Sequence, residues 1–302
     1  MLKKLPLPIT GVMLGMTALG NLLQSYSGTV RLICGAIASI LGILFFLKVI
    51  LYPKMFFEDM KNPVLASVSG TFPMALMLLS VYAKPYIGDG AIILWYVAIA
   101  MHIALIIYFT MKFMIKLEMP KVFASYSIVY AGIVIVSLTA PAYDKRNWGI
   151  AMFYYGFISL FFLLALIVYR YMKFKEMPEP TKPLYCILAS PVSLCLTGYI
   201  QSVTEKSLIM IGFLAILATC LYIIVLIQLP KFLKLPFYPS YASFTFPFVI
   251  SAIGMKVTMV YLTEIGQALP FLPYMVLLQT IIAIVLTFYV LIRYCIAIIT
   301  SK

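Results

Sequence analysis

Tyr241-Ala242-Ser243-Phe244-Thr245-Phe246-Pro247-Phe248 opens an apolar stretch that meets no acid before Glu264. Pro247 has no amide hydrogen to donate, and its ring crowds the carbonyl four residues back, so a helix through this stretch is disturbed there. The tripeptide Thr245-Phe246-Pro247 has a twin, Thr71-Phe72-Pro73. Working outward from the pair, a helix-disturbing residue stands in every second apolar stretch. These are Gly15, Pro73, Gly132, Pro191 and Pro247, at intervals of 58, 59, 59 and 56 residues. A near-constant interval marks a repeated structural unit. The unit read here is one helical hairpin of roughly 58 residues, used five times.

The composition says what solvent these hairpins meet. Of 302 residues, 64% are hydrophobic and 10% charged, far more apolar surface than one aqueous core can hide. The net charge of +13 is scattered between apolar runs and forms no stripe, so nucleic acid is not the expected partner. Lipid is. A crossing helix needs about 20 apolar residues, which predicts an all-α membrane protein of ten transmembrane helices forming a single domain over residues 1–302. The predicted spans are 6–26, 28–50, 63–83, 91–116, 122–141, 148–171, 183–203, 207–229, 239–263 and 271–299. The first apolar run follows Lys3 and Lys4 as a signal peptide would, but Pro6, Pro8, Gly11 and Gly15 and the lack of a small-residue cleavage site favour a retained helix.

The two helices of each predicted hairpin differ. Odd spans carry small and hydroxylated residues, such as Ser67, Ser69, Gly70 and Thr71, or Ser190, Ser193 and Thr197. Even spans are runs of Leu, Ile, Val, Phe and Ala, as in residues 214–227. Kinked, polar-dotted backbone survives at membrane depth only against protein or a water-filled cavity. The expected arrangement is therefore an inner ring of odd helices forming a pore, with the even helices outside. Charge sorts by side as well. Only Arg31, Lys84, Lys145, Arg146, Lys206 and Lys256 fall on the face away from the termini, and every other base falls on the termini's face. The positive-inside rule then predicts a multi-pass protein of the cell (inner) membrane with both termini cytoplasmic. Trp95 and Trp148 are expected near the outer interface, where aromatic belts form.

With these residues in view, the chain resembles the tellurite-resistance/dicarboxylate transporter family, which includes the bacterial tellurite-resistance protein TehA and the plant slow-type anion channels. The match is carried by Tyr241 to Phe248, by Ile253-Gly254-Met255-Lys256, and by Ala189-Ser190-Pro191-Val192-Ser193-Leu194-Cys195-Leu196. The resemblance implies a homotrimer of independent pores, each lined by odd helices and occluded by a phenylalanine in the ninth helix. By position in the motif that residue is Phe246, and Phe72 holds the equivalent place in the third span. The long phosphorylated termini of the plant members have no counterpart in this sequence, so their control is not expected here.

The chemistry fits passage better than catalysis. No acid lies deep in a predicted span, and His102 is the only histidine; in an even helix it reads as a packing or surface-facing residue rather than a proton relay. Cys34, Cys186, Cys195, Cys220 and Cys295 show no metal-ligand spacing and read as small apolar residues. No enzyme activity, metal or cofactor is expected. What remains is a pore of weak polar groups (Thr71, Ser190 and Thr245, among kink positions Gly15, Pro73, Gly132, Pro191 and Pro247) with cations near its mouths. Such a pore suits a channel, in which ions enter favourably yet leave quickly. The expected function is an anion channel passing chloride and nitrate through a phenylalanine gate. Lys256 attracts anions at the outer end, or else snorkels to the headgroups. The alternative is a secondary carrier for C4-dicarboxylate, sulfite or tellurite oxyanions.

Overall fold

The computed structural model describes residues 2–300, so Lys302, counted above among the bases of the termini's face, lies outside the described residues. Among them no strand occurs, and the helices are α1 (Ile9–Leu23), α2 (Gly28–Leu51), α3 (Pro53–Asp59), α4 (Pro63–Val68), α5 (Thr71–Ile87), α6 (Ala91–Phe109), α7 (Tyr126–Tyr130), α8 (Ile135–Thr139), α9 (Arg146–Lys173), α10 (Ser190–Ser202), α11 (Leu208–Leu233), α12 (Phe246–Glu264) and α13 (Leu272–Thr300). Eight helical stretches are long and apolar enough to cross a membrane, which makes this a multi-pass membrane protein. One of them, Pro63–Met114, is 52 residues long and turns back on itself at Gly88–Gly90, where Gly88 takes a φ of 60° that a side chain would resist. α1, with 15 residues, is shorter than a usual crossing.

Burial separates two classes of helix. In the stretch Glu179–Ser202, 94% of the apolar window is buried, against 28% in Leu208–Leu233 and in Arg146–Lys173. Tyr126–Tyr143 and Pro239–Glu264 belong with the first class, at 72% and 67%. α1 does too, with only Asn21 and Leu23 escaping full burial. The buried helices pack on one another in a closed circuit: α1 on α5, α5 on α8, α8 on α10, α10 on α12, and α12 back on α1. α2, α6, α9, α11 and α13 pack against the outside of this circuit.

Hydrogen bonds within the circuit keep the repeat's spacing. Ser67 Oγ and Ser125 Oγ lie 2.7 Å apart, and Ser193 Oγ and Ser251 Oγ 3.2 Å apart; each pair is 58 residues apart in sequence. Thr10 Oγ1 and Thr71 Oγ1 lie 2.7 Å apart at a separation of 61. The bond that closes the circuit, Thr245 Oγ1 to Gly11 O at 3.0 Å, spans 234 residues, four repeat lengths. These separations lie within a few residues of the interval between the helix-disturbing positions or a multiple of it.

The inner helices are irregular for a local reason. In each of the later units a hydroxyl bonds the carbonyl three residues back: Ser67 to Val64, Thr71 to Val68, Ser127 to Ala124, Ser190 to Ile187, Ser243 to Ser240 and Thr245 to Ala242. Such side chains compete with the α-helical ladder and favour tighter turns. Accordingly, Glu179–Ala189 and Pro239–Phe244 are 3-10 turns, and so is Ala131–Val134, around Gly132. The expected kinks take another form. Pro73, Pro191 and Pro247 sit in the first turns of α5, α10 and α12, where a missing amide hydrogen costs little. Gly15 does not break α1 at all. It is a point of close approach, since a Cβ there would lie 2.5 Å from Thr245 Cβ.

Candidate functional site

Two cavities are enclosed by the same five inner segments. The first, of about 300 Å³, opens toward the face that holds the chain's N-terminal turn, and its wall includes Gly11, Thr71, Gly132, Ser190, Pro191, Ser243 and Pro247. The second, of about 710 Å³, lies beyond it and is walled by Leu78, Leu138, Gln201, Ile250, Ile253 and Lys256, among others. Phe246 borders both, and no other residue among those described does. The residue is 7% exposed.

The backbone before the ring explains its aim. Thr245 stands at φ −97° and ψ −89°, outside the helical region, so α12 starts afresh at Phe246. Thr245 is fully buried, its hydroxyl shared between Gly11 O at 3.0 Å and Ala242 O at 2.7 Å. From Phe246 a helical stripe of Ile250, Ile253, Val257, Val260 and Glu264 faces the second cavity. In the twin motif the chain stays helical through Ser69 and Gly70. There Thr71 and Met74 face the first cavity. Phe72 does not; its ring lies 5.0 Å from that of Phe45 in a lateral pocket with Phe56, Pro73 and Leu105. The two motifs thus differ in register by one residue, and Phe246 takes the place that Thr71 holds.

The remaining predicted positions divide in the same way. Gly132 lines the first cavity and sits against Met74 and the ring of His102, which a Cβ there would meet at 2.7 and 3.1 Å. His102 is fully buried, not lipid-facing, and its Nε2 donates to Val129 O at 2.9 Å beside the 3-10 turn. Trp95 is buried as well: its Nε1 donates to Thr139 Oγ1 at 2.8 Å, while Trp148, 6.5 Å away between ring centres, stays 43% exposed. Lys256 Nζ reaches Leu22 O at 2.8 Å and Ser25 Oγ at 2.6 Å, and lies 4.9 Å from the centre of the Tyr26 ring. It therefore ties the end of α1 to α12 while lining the second cavity. Cys220 and Cys295 are exposed on outer helices, whereas the other three cysteines are buried.

A family model described as a voltage-dependent anion channel matches residues 4–295. The chain belongs to the voltage-dependent anion channel family. This is the tellurite-resistance/dicarboxylate transporter group indicated by the motifs around Phe246 and Pro191. An uncharacterized transporter of Methanocaldococcus jannaschii is 25% identical over 236 residues, which cover 68% of this chain and 67% of that one.

For a member of a family of anion channels and transporters, the sign of each wall matters. The first cavity has no charged side chain among its lining residues. The first residues of α5, α10 and α12, Thr71, Ser190 and Phe246, all line it. Its hydroxyl protons are largely taken: Thr71, Ser190 and Ser243 each lie within bonding distance of a main-chain carbonyl. The second cavity carries Arg31, Lys206 and Lys256 against one carboxylate, Glu264. Each cation lies over a tyrosine ring, Tyr82 at 4.1 Å, Tyr261 at 5.4 Å and Tyr26 at 4.9 Å, rather than against an acid. Sequence reading assigned all three to this face but singled out only Lys256. Which bases converge depends on helix rotation, which a charge count does not contain.

Proposed function

We propose that the chain is an anion channel of the cell membrane in which each subunit holds its own conduction path, closed by the Phe246 ring. The observation that carries this reading is the pair of in-line cavities that share one wall residue, a phenylalanine. An apolar constriction between wet cavities blocks ions because they cannot shed their water there. On this reading the chain makes ten crossings as five hairpins: Pro63–Met114 supplies two and α1 a short one. The spacing of the inner hydrogen bonds, 58 to 61 residues with closure at 234, supports the ring.

Anions are favoured over cations by the cationic excess of the second cavity. Neither cavity offers a dense set of free donors, so dehydration cost ranks the anions, and nitrate and iodide pass at least as easily as chloride. The distribution of bases supports cytoplasmic termini. The subunits associate as a homotrimer through outer helices, leaving each path separate.

Planar-bilayer recording tests the function. In a potassium chloride gradient, currents should reverse near the chloride potential, scale with voltage, and persist when nitrate replaces chloride. Reversal at the potassium potential refutes anion selectivity. Saturating, stoichiometric exchange without conductance would establish the carrier for C4-dicarboxylate, sulfite or tellurite oxyanions instead.

A further inference from the structure

Beside the mouth of the first cavity, on the face that carries the N-terminal turn, lies a groove of about 1010 Å³. It runs between the start of α4, the turn Met119–Lys121, the end of α9 and the segment that follows α9. Asn62, Val64 and Thr181 belong to both walls, so the groove adjoins the inner mouth without being part of the axial path.

Five bases and two acids line it, but their pairing is uneven. Lys61 is bridged to Glu58 at 2.6 Å, and Lys121 to Glu118 at 2.8 Å. Arg170, Lys173 and Lys175 have no carboxylate within 4.0 Å among the described residues. Arg170 is the unusual one, being 1% exposed. Its terminal nitrogens donate to three main-chain carbonyls, Phe174 O, Pro120 O and Glu176 O, each at 3.2 Å. Its Nε is buried with no hydrogen-bond partner. A guanidinium buried without a counter-ion is costly, and carbonyl dipoles offset only part of that cost. An anion in the groove would supply the missing charge. Lys173 and Lys175 are exposed at its rim, and Lys173 Nζ donates to the hydroxyl of the half-exposed Tyr169 at 2.8 Å.

We infer that this groove is a binding site for a phosphate-bearing anion, set beside the inner mouth of the path and separate from it. Basic pockets between helices at the membrane surface take anionic lipid headgroups by this chemistry. Arg170 fixes the segment after α9 and supplies buried positive potential, while Lys173 and Lys175 contact the phosphate.

The test uses the full-length protein in a neutral detergent, with thermal stability as the readout. Phosphatidylglycerol should raise the melting temperature saturably and phosphatidylcholine should not. In Lys173→Ala/Lys175→Ala the phosphatidylglycerol midpoint should move roughly thirtyfold higher, the weight of about two lysines at an anionic surface. Lys231→Ala/Lys234→Ala, which removes two exposed bases near the end of α11, should leave the midpoint unchanged. If inorganic phosphate reproduces the shift and competes with the lipid, the ligand is a soluble anion; if only the lipid acts, it is a headgroup. Equal effects of the two lipids, or equal weakening in both double variants, would overturn the site. Because no conductance is read, the outcome is independent of the channel assignment.

Discussion

Phe246→Ala isolates the proposed constriction. The wild-type ring separates cavities of about 300 and 710 Å³, and truncation removes the one side chain that borders both. A chloride ion passing the ring must give up hydrogen bonds from water and finds no free donor nearby. Losing about two bonds to a charged species, at about 1.5 kcal/mol or more each, sets a barrier near 3 kcal/mol. At 1.4 kcal/mol per factor of ten, the variant should pass chloride about a hundredfold faster. Stability should fall by less than the roughly 3–5 kcal/mol typical of a buried phenylalanine, because water can fill space that opens on two cavities. The assay is chloride efflux from proteoliposomes under a potassium clamp, with bilayer recording for unitary conductance. Phe72→Ala is the control. Its ring packs on Phe45 in a lateral pocket, so it should lower stability and leave efflux unchanged. A folded Phe246→Ala protein with wild-type efflux, or a leak from Phe72→Ala of the same size, would refute the assignment.

Gly15→Ala puts a Cβ 2.5 Å from Thr245 Cβ, an overpacking that should cost about 1–3 kcal/mol and alter efflux by moving Phe246; an unchanged melting temperature would contradict the close approach. Lys256→Glu should cut anion conductance, more at 0.01 M salt, where screening extends to about 30 Å, than at 0.1 M, where it extends to about 10 Å. Lys256→Gln separates loss of the tether to Leu22 and Ser25 from reversal of charge, and equal conductance at low salt in all three proteins would reduce Lys256 to a packing role. Burial raises the carboxyl of Asp59 above its ordinary 3.8, against the opposing pull of Lys48 at 4.0 Å. Folding therefore favours its protonated form, and that contribution is present below the ordinary value and lost as pH rises through the folded one. Asp59→Asn should then raise the melting temperature at neutral pH and leave it unchanged near pH 3, as a pH series of melts would reveal. In mixed oligomers, leak should rise in proportion to the fraction of Phe246→Ala subunits; a steep, all-or-none rise would put the path on the oligomer axis.

What was legible in the sequence was whatever depends on spacing and composition. The interval between Gly15, Pro73, Gly132, Pro191 and Pro247 has a near match in side-chain hydrogen bonds that join buried stretches 58 to 61 residues apart. The contrast between hydroxyl-dotted and aliphatic stretches reappears as burial, because a lipid-facing helix has no use for hydroxyls. Rotation about a helix axis was not legible. Trp95 and His102 lie on outer-helix sequences yet face inward, each donating to an inner segment. Nor does anything in a basic segment announce that Arg170, and not Lys173 or Lys175, is the residue that is buried.

The twin motifs show why such a limit bears on function. Thr71-Phe72-Pro73 and Thr245-Phe246-Pro247 are identical as sequence, and both open a helix with proline in its first turn. One sends a threonine toward the axis and the other a phenylalanine. The difference lies in one residue's backbone, Thr245 at φ −97° and ψ −89°, held by the carbonyls of Gly11 and Ala242 and pressed on by α1 at Gly15. Had Thr245 been helical like Ser69 and Gly70, the fifth unit would also have turned a hydroxyl to the axis and its ring aside. The proposed constriction is then a local departure from the repeat, enforced where the last unit meets the first. Substitutions that relax the break without touching the ring, above all at Thr245 and Gly15, should therefore change conduction as strongly as substitutions of Phe246 itself.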